Sequence, residues 1–127
     1  MRWEARSGVD NLLMVFNSDG AAKLTEPFLE MERQAISFAA RLAIIDTTAD
    51  VFGGNENIRP EVRRFIADCL NRMARAIKGS VVLCIHPSRA GLASGEGDGA
   101  STAWHSTARA RPYLTRPDSD GDAAPDE

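Results

Sequence analysis

The sequence predicts an α/β domain whose sheet is mainly parallel and flanked by helices. Apolar runs alternate with amphipathic helical segments, and two runs, Leu42–Ile45 and Val81–Ile85, are almost continuously apolar. The length of 127 residues fits one domain. The order strand, helix, strand, helix, strand favours right-handed crossovers, and such sheets bind ligands at the carboxyl ends of their strands.

The first half of the chain is predicted to form a strand, a turn and a helix. The run Asn11–Phe16 predicts a short strand, and the Asn-Ser-Asp-Gly cluster ending at Gly20 predicts a turn. Thr25 is expected to cap a helix, because Glu26 and Pro27 follow it and both are favoured in a first turn. Apolar residues then recur at helical spacing at Phe28, Met31, Ala35 and Phe38 or Ala39.

The middle of the chain is predicted to alternate buried strands with one long helix. Leu42–Ile45 predicts a strand buried on both faces, and the glycine-containing segment Thr47–Asn57 predicts a loop. The next helix begins near Pro60 and ends at Lys78-Gly79. Val81–Ile85 predicts a second buried strand. The apolar stripe of the helix is Val62, Phe65, Ile66, Cys69 or Leu70, Met73 and Ile77.

The last third of the chain carries weaker patterns. Ser88–Ser101 predicts a mobile Gly/Ser-rich loop, and Thr102–Thr107 predicts a short helical turn. Arg109–Thr115 is expected to be an extended edge strand, because Pro112 cannot donate to a central ladder. We expect a domain over residues 1–115 and a disordered acidic tail over 116–127.

Charge and composition exclude few classes of protein. The net charge is −3, but Asp118–Glu127 hold five acids and no base, which leaves +2 for the rest. A nucleic-acid-binding body is therefore not excluded, although no strong basic field supports one. The sequence predicts neither a membrane span nor a signal peptide, so we expect a soluble cytoplasmic protein. Cys69 and Cys84 are expected to be reduced.

Two polar residues stand where predicted strands end. Asp46 follows four apolar residues, as in the Walker B pattern, in which a buried strand holds a carboxylate that orients Mg²⁺ through water. His86 follows the second strand and could donate a hydrogen bond to a terminal phosphate. The alternative interpretations are a loop-starting or helix-capping Asp and a loop His bonded to the backbone.

Two later segments also carry possible chemistry. The glycine-rich stretch Gly91–Trp104 is not a phosphate-binding loop, because no Lys-Ser/Thr follows its glycines. Trp104 either stacks on a base or anchors this loop to the core. Arg109 and Arg111 point the same way on an extended segment, where they either reach phosphates in a neighbouring subunit or form a solvated edge.

Three stretches together resemble the RepA-like hexameric ATPases of the AAA/RecA type, which include plasmid replicative helicases and phage ATPases. They are LAIIDTTADVFGGNENIRPEVRRFI, VVLCIHPSRAGLASGEG and GASTAWHSTARARPYL, in this order and spacing. The resemblance implies a partial RecA-like P-loop NTPase core that uses ATP and Mg²⁺. It also implies a homo-oligomeric ring and a possible contact with DNA.

The resemblance also implies roles for individual residues. Asp46 stands at the Walker B position, where it would hold Mg²⁺ through water, and Thr47 lies beside it in the nucleotide site. His86 stands at the phosphate-sensing position. Arg109 or Arg111 is the expected arginine finger. Glu56 occupies a characteristic position to which we assign no role.

Two family features are missing from the sequence. It contains no GxxxxGK[ST] loop and no catalytic Glu after a buried strand. We therefore expect the C-terminal half of such an ATPase, inactive alone, with apolar surface exposed where the P-loop half would pack. The alternatives are a non-catalytic remnant or regulatory fragment that docks on intact subunits through Arg109–Leu114, or an unrelated small α/β ligand-binding domain.

Overall fold

The computed structural model describes residues 11–86 and 102–114. The elements, in chain order, are β1 (Met14–Phe16), β2 (Ala22–Leu24), α1 (Glu26–Ser37), β3 (Leu42–Ile45), α2 (Thr48–Val51), β4 (Phe52–Gly53), α3 (Arg59–Arg64), a π-helical segment (Phe65–Leu70), α4 (Asn71–Ala76), β5 (Ser80–Leu83) and α5 (Thr102–Thr107). No helix in these two ranges has the length and apolar character needed to cross a membrane.

The described strands form two small sheets. One has the order β2-β1-β4, in which β1 pairs antiparallel with β2 and parallel with β4. The other is the parallel pair β3-β5, with Leu42 opposite Ser80 and Ile45 opposite Leu83. The mixed α/β class with parallel pairing is compatible with a partial RecA-like fold, as the sequence predicts. The division into two sheets and the antiparallel hairpin differ from the prediction.

The hairpin uses the predicted turn. Gly20 donates its amide to the Asn17 carbonyl at 2.9 Å and has φ +80°, a conformation that favours glycine. The predicted strand over Asn11–Phe16 is shorter than expected, since β1 begins only at Met14. The sequence gives little sign of β2, because three residues without a β-branched or aromatic side chain make a weak strand pattern.

Helix α1 confirms the predicted cap. The Thr25 hydroxyl accepts a hydrogen bond from the Phe28 amide at 3.4 Å, and Glu26 and Pro27 lie in the first turn. The helix ends at Ser37, and Ala39 has φ +56°, so the stripe does not extend to Phe38 or Ala39.

The predicted long helix is confirmed as one continuous helical stretch over residues 59–76, which we call the long helix. It consists of α3, the π-helical segment and α4. Its buried side chains form two series in which neighbours are four residues apart. One series is Val62, Ile66 and Leu70, and the other is Phe65, Cys69 and Met73, continued by Ile77 just beyond the helix. Every member of the predicted stripe is buried.

An aromatic cluster joins the three-stranded sheet to the helices. Phe52 meets Phe16, Phe65 and Trp104 edge-to-face, with ring centroids 5.9, 5.2 and 5.3 Å apart respectively. Trp104 is 3% exposed, so it anchors α5 to the core, as one of the two interpretations proposed. The short helix over Thr102–Thr107 has the predicted bounds.

A partly buried ion pair ties α1 to the long helix. Arg72 donates to both carboxylate oxygens of Glu32, at 2.8 and 2.6 Å, and its guanidinium lies 5.4 Å from the Phe28 ring centroid. The hydrogen bonds that Arg72 donates to the Glu32 carboxylate raise the pKa of Arg72. Burial raises the pKa of the nearby Cys69 thiol to about 12, so this thiol stays protonated at neutral pH.

Three local predictions are wrong. Neither β3 nor β5 is buried on both faces, because Leu42, Ile44 and Val82 are 52%, 64% and 44% exposed. Residues 47–57 hold α2 and β4 rather than only a loop, because a capping box between Thr47 and Asp50 starts a helix. Residues 109–114 contain no strand. The predictions for Ser88–Ser101 and for the tail over 116–127 concern segments outside the described residues.

Both cysteines that the sequence holds are free. Cys69 is buried in the long helix, and Cys84 is half-buried just after β5. Neither cysteine forms a disulfide in the structure, which agrees with the expectation of reduced thiols.

Candidate functional site

The carboxyl ends of β3 and β5 are bonded to each other. The Cys84 amide donates to the Ile45 carbonyl at 2.8 Å, and the amide and hydroxyl of Thr48 both donate to the Cys84 carbonyl at 3.0 Å. Asp46 directly follows Ile45, and His86 comes two residues after Cys84. Both residues therefore leave the sheet at the same edge, where parallel α/β sheets bind ligands.

Asp46 places a carboxylate at this edge that has no partner among the described residues. Its side chain is exposed and makes no hydrogen bond or ion pair with the described part of the chain. The peptide bond that joins it to Thr47 is cis. A carboxylate that stands at a strand end and has no partner among residues 11–86 and 102–114 is available to ligands from solvent.

The two threonines after Asp46 have structural partners. The Thr47 amide and hydroxyl donate to the Asp50 carboxylate at 3.4 and 3.2 Å and so cap α2. Thr48 is 2% exposed and fastens the end of β5 through its two bonds to Cys84. The Thr47 hydroxyl would have to leave Asp50 to touch a nucleotide, and its predicted role stays a prediction.

His86 is exposed and has no partner in residues 11–86 or 102–114. The residue follows the end of β5, and Asp46 follows the end of the parallel strand β3 that pairs with it. The structure thus brings these two predicted residues to one edge. Their direct cooperation on a phosphate stays a prediction.

The two candidate finger arginines lie elsewhere in the fold. Arg109 and Arg111 are both exposed in the segment that follows α5, and α5 packs against α3. Arg111 Nη1 lies 2.7 Å from the ring nitrogens of His105. The position of these arginines is therefore set by the long helix rather than by β3 or β5.

The glycines of the GGNEN segment have a steric explanation. A Cβ atom on Gly53 would lie 2.6 Å from the Met14 carbonyl oxygen, and one on Gly54 would lie 2.6 Å from the Phe52 ring. The Asn55 amide donates to the Glu61 carboxylate at 2.7 Å. Glu56 is half-buried and has no partner among the described residues.

The described residues fit one type of metal contact. They contain no group of three or more His, Cys, Asp or Glu side chains that could enclose an ion. Mg²⁺ often binds through one carboxylate, several waters and substrate phosphates, and Asp46 suits that mode. An open cleft of about 490 Å³ lies away from this edge, between the hairpin turn at Asp19 and helix α3, where Pro60, Glu61 and Arg64 line it.

A comparison with family models identifies the family to which the chain belongs. The model of a family described as "AAA domain" matches residues 2–91. The chain belongs to this AAA-domain family. The matched range of this AAA domain includes both Asp46 and His86 and ends before α5, so Arg109 and Arg111 lie outside it. No curated protein and no solved structure shows a significant match.

Sequence reasoning missed two residues that shape this edge. Thr48 couples α2 to the end of β5, and Asp50 caps α2. The Thr-x-x-Asp spacing at Thr47 and Asp50 resembles a capping box and could have indicated the helix. The bond from Thr48 to Cys84 joins residues 36 positions apart, which no local pattern encodes.

Proposed function

We propose that this AAA domain supplies the Mg²⁺-facing edge of the ATP site in a RepA-like ATPase of the RecA type. The in-register parallel pairing of β3 with β5 carries the proposal, because it brings Asp46 and His86 to one edge of a sheet. Family membership supports nucleotide and Mg²⁺ use, and the helicase assignment rests on the resemblance described above.

Asp46 would orient a water molecule in the coordination shell of Mg²⁺. When bound with ATP, the metal ion neutralises charge on the phosphates during phosphoryl transfer. The carboxylate is suited to this role because no described group competes for it. His86 would donate a hydrogen bond to the terminal phosphate and couple its loss to the adjoining chain.

Arg109 is the better candidate for an arginine finger. Arg111 already contacts His105, whereas Arg109 is exposed and has no partner among the described residues. A finger that acts on a neighbouring subunit has to project outward from its own domain, and the exposed segment after α5 allows this. This role requires a homo-oligomeric assembly.

The principal phosphate anchor has to come from outside this sequence, which contains no GxxxxGK[ST] loop. The sheet β3-β5 supports a composite site, because Leu42, Ile44 and Val82 leave an apolar face 52%, 64% and 44% exposed. We propose that the polypeptide bearing the phosphate-binding loop covers this face.

Calorimetry with Mg²⁺-ATP tests the composite site. We expect the 127-residue chain alone to show no micromolar affinity and no ATP turnover, because it lacks the backbone amides and the Lys that hold the triphosphate. Micromolar binding by the chain alone would contradict the proposal.

A co-expressed polypeptide that carries the phosphate-binding loop provides the positive test. ATP hydrolysis should then appear, and Asp46→Asn should lower kcat at least about 100-fold. Asp50→Asn is the matched control, since it removes an exposed carboxylate that only caps α2, and it should change kcat less than about threefold. If both variants lowered the kcat of the composite enzyme equally, the proposed role of Asp46 would be disproved.

A further inference from the structure

A second parallel strand pair also has an open edge, on the other sheet from Asp46. β1 and β4 run side by side, and Met14 lies opposite Phe52 in their register. The segments that follow these two strands line the cleft of about 490 Å³. Residues 19–21 come from the hairpin turn after β1, and Ile58, Pro60, Glu61 and Arg64 come from the loop and helix after β4. The cleft therefore stands beyond the carboxyl ends of a parallel pair, where α/β sheets bind ligands.

The cleft contains opposite charges that do not pair with each other. Glu61 and Arg64 are three residues apart on α3, a spacing at which an acid and a base are neighbours on a helix. Within the described ranges, however, neither side chain forms an ion pair. Glu61 accepts the Asn55 amide at 2.7 Å, and Arg64 donates to the Gly20 carbonyl at 3.1 Å. The fold thus holds a carboxylate and a guanidinium apart in one cleft.

Each charged group of the lining keeps atoms for a ligand. The Asn55 amide occupies Oε2 of Glu61, which leaves Oε1 without a partner among the described residues. Arg64 uses only Nη1, so the donors on Nε and Nη2 are available. Asp19 adds a second carboxylate, whose Oδ1 accepts the Ala21 amide and whose Oδ2 is open. A cationic group therefore meets two carboxylates in this cleft, and an anionic group meets one guanidinium.

The rest of the lining is mainly apolar. Ile58 is 43% exposed although its side chain is large and aliphatic, and Pro60 adds a rigid apolar surface. A volume of about 490 Å³ lies in the range of small-molecule sites, in which apolar walls and a few polar groups fix the ligand. A metal ion is not favoured, because the part of the chain that the structure describes holds no cluster of three ligating side chains.

We propose that this cleft binds a small zwitterion with an apolar side group, such as an aliphatic amino acid. The ammonium group would lie against the carboxylates of Glu61 and Asp19, and the ligand's carboxylate would accept hydrogen bonds from Arg64. The aliphatic side chain would cover Ile58 and remove its exposed surface from water. A cation alone leaves Arg64 unused and an anion alone meets two carboxylates, so a zwitterion uses the lining most completely.

Titration of the full chain with L-leucine, followed by amide chemical shifts in NMR spectra, tests this site. The amides of Gly20, Ala21 and Glu61 should shift together, with a Kd below about 5 mM for a ligand of about nine non-hydrogen atoms. Two analogues each lack one charge, since leucinamide has no carboxylate and isocaproate has no ammonium group. Each analogue should bind at least about fivefold more weakly than leucine.

Variants that remove one carboxylate charge locate the ammonium group. Glu61→Gln keeps an oxygen for the Asn55 amide, and Asp19→Asn keeps one in the turn for the Ala21 amide. Each variant should raise the Kd for leucine at least about threefold. Asp68→Asn is the matched control, because Asp68 is exposed on the long helix outside the lining, and it should change the Kd less than about 1.5-fold.

Three results would overturn the proposal. The first is the absence of shifts in the lining amides at about 20 mM leucine, in a chain that circular dichroism shows to be folded. The second is a Kd for leucinamide or isocaproate equal to that for leucine, since one charge would then suffice. The third is an equal rise of the Kd in Asp68→Asn and in the two cleft variants. Neither Asp46 nor His86 lines this cleft, so failure here leaves the proposed ATP site standing.

Discussion

Glu32 and Arg72 show how one pair of residues decides the packing of two helices. Glu32 is 9% exposed on the face of α1 that meets the long helix, where an unpaired carboxylate would be costly. Arg72 offsets that cost with two short hydrogen bonds and also covers the Phe28 ring. A helical stripe assigned from apolar residues alone therefore omits Glu32, because its burial depends on a partner 40 positions away.

Replacing Glu32 by glutamine should destabilise the fold. The neutral amide removes the charged acceptor of the Arg72 guanidinium, and Glu32 itself is largely buried while the Arg72 side chain is 42% exposed, so we expect the free energy of unfolding to fall by about 2 kcal/mol. Urea denaturation followed by circular dichroism measures the change. Glu30→Gln is the matched control, because Glu30 pairs with the exposed Arg33 on the surface of α1, and it should cost less than about 1 kcal/mol. Equal decreases in the free energy of unfolding in Glu32→Gln and Glu30→Gln would contradict the role assigned to Glu32.

At the scale of elements, the sequence predicted those parts whose signals are local. The long helix, the cap at Thr25 and the short helix over Thr102–Thr107 are encoded by periodicity and capping residues close in the chain. The strands β3 and β5 are encoded by runs of apolar residues. Asp46 and His86 were predicted as site residues for the same reason, since each directly follows one of the predicted apolar runs.

Other elements depend on contacts that local patterns do not contain. β4 is only Phe52-Gly53, and it forms because Met14 and Val15 pair with it from far along the chain. The exposed face of β3 could not be predicted from an apolar run, because the run specifies hydrophobicity and not what covers it. Arg109–Leu114 has strand-like residues but no neighbour with which to form a ladder among the described strands.

Gly79 is the element-scale position whose replacement should be most disruptive. A Cβ atom there would lie 1.9 Å from the Arg41 carbonyl oxygen, which also accepts the Ser80 amide at the start of the β3-β5 pair. Gly79→Ala should therefore lower the free energy of unfolding by about 3 kcal/mol, since backbone has to shift. Ser80→Ala, one residue on and exposed, should change it by less than about 0.5 kcal/mol. Chemical denaturation of both variants checks the difference, and a tolerated Gly79→Ala would contradict this packing.

On the scale of the whole molecule, the main feature is the uncovered face of the β3-β5 sheet. Ile44 and Val82 lie opposite each other in the register and are 64% and 44% exposed, next to Leu42 at 52%. Exposed apolar side chains that share one face of a sheet are candidates for an interaction surface, which agrees with the partner proposed above. The same sheet carries the candidate ATP-site residues at its edge, so the element that covers the face would also lie close to the nucleotide.

The uncovered face should bind a hydrophobic dye in the folded chain. Ile44→Thr combined with Val82→Thr keeps β-branched residues in the strands and should lower the fluorescence of added ANS at least about twofold. Leu114→Thr is the matched control, because Leu114 is 92% exposed but stands outside the sheet, and it should leave the signal nearly unchanged. Equal signals from the wild type and the double variant would show that the face is not the dye-binding surface.

The most direct test of the account is paramagnetic broadening by Mn²⁺-ATP in the NMR spectrum of the full chain. Mn²⁺ substitutes for Mg²⁺, and broadening reveals contacts too weak for calorimetry. We predict selective broadening of the amides of Thr47, Thr48 and His86, and its loss in Asp46→Asn, while the acidic residues 118–127 serve as an internal reference for non-specific metal binding. Identical broadening in the wild type and in Asp46→Asn would contradict the central claim that this carboxylate faces the metal.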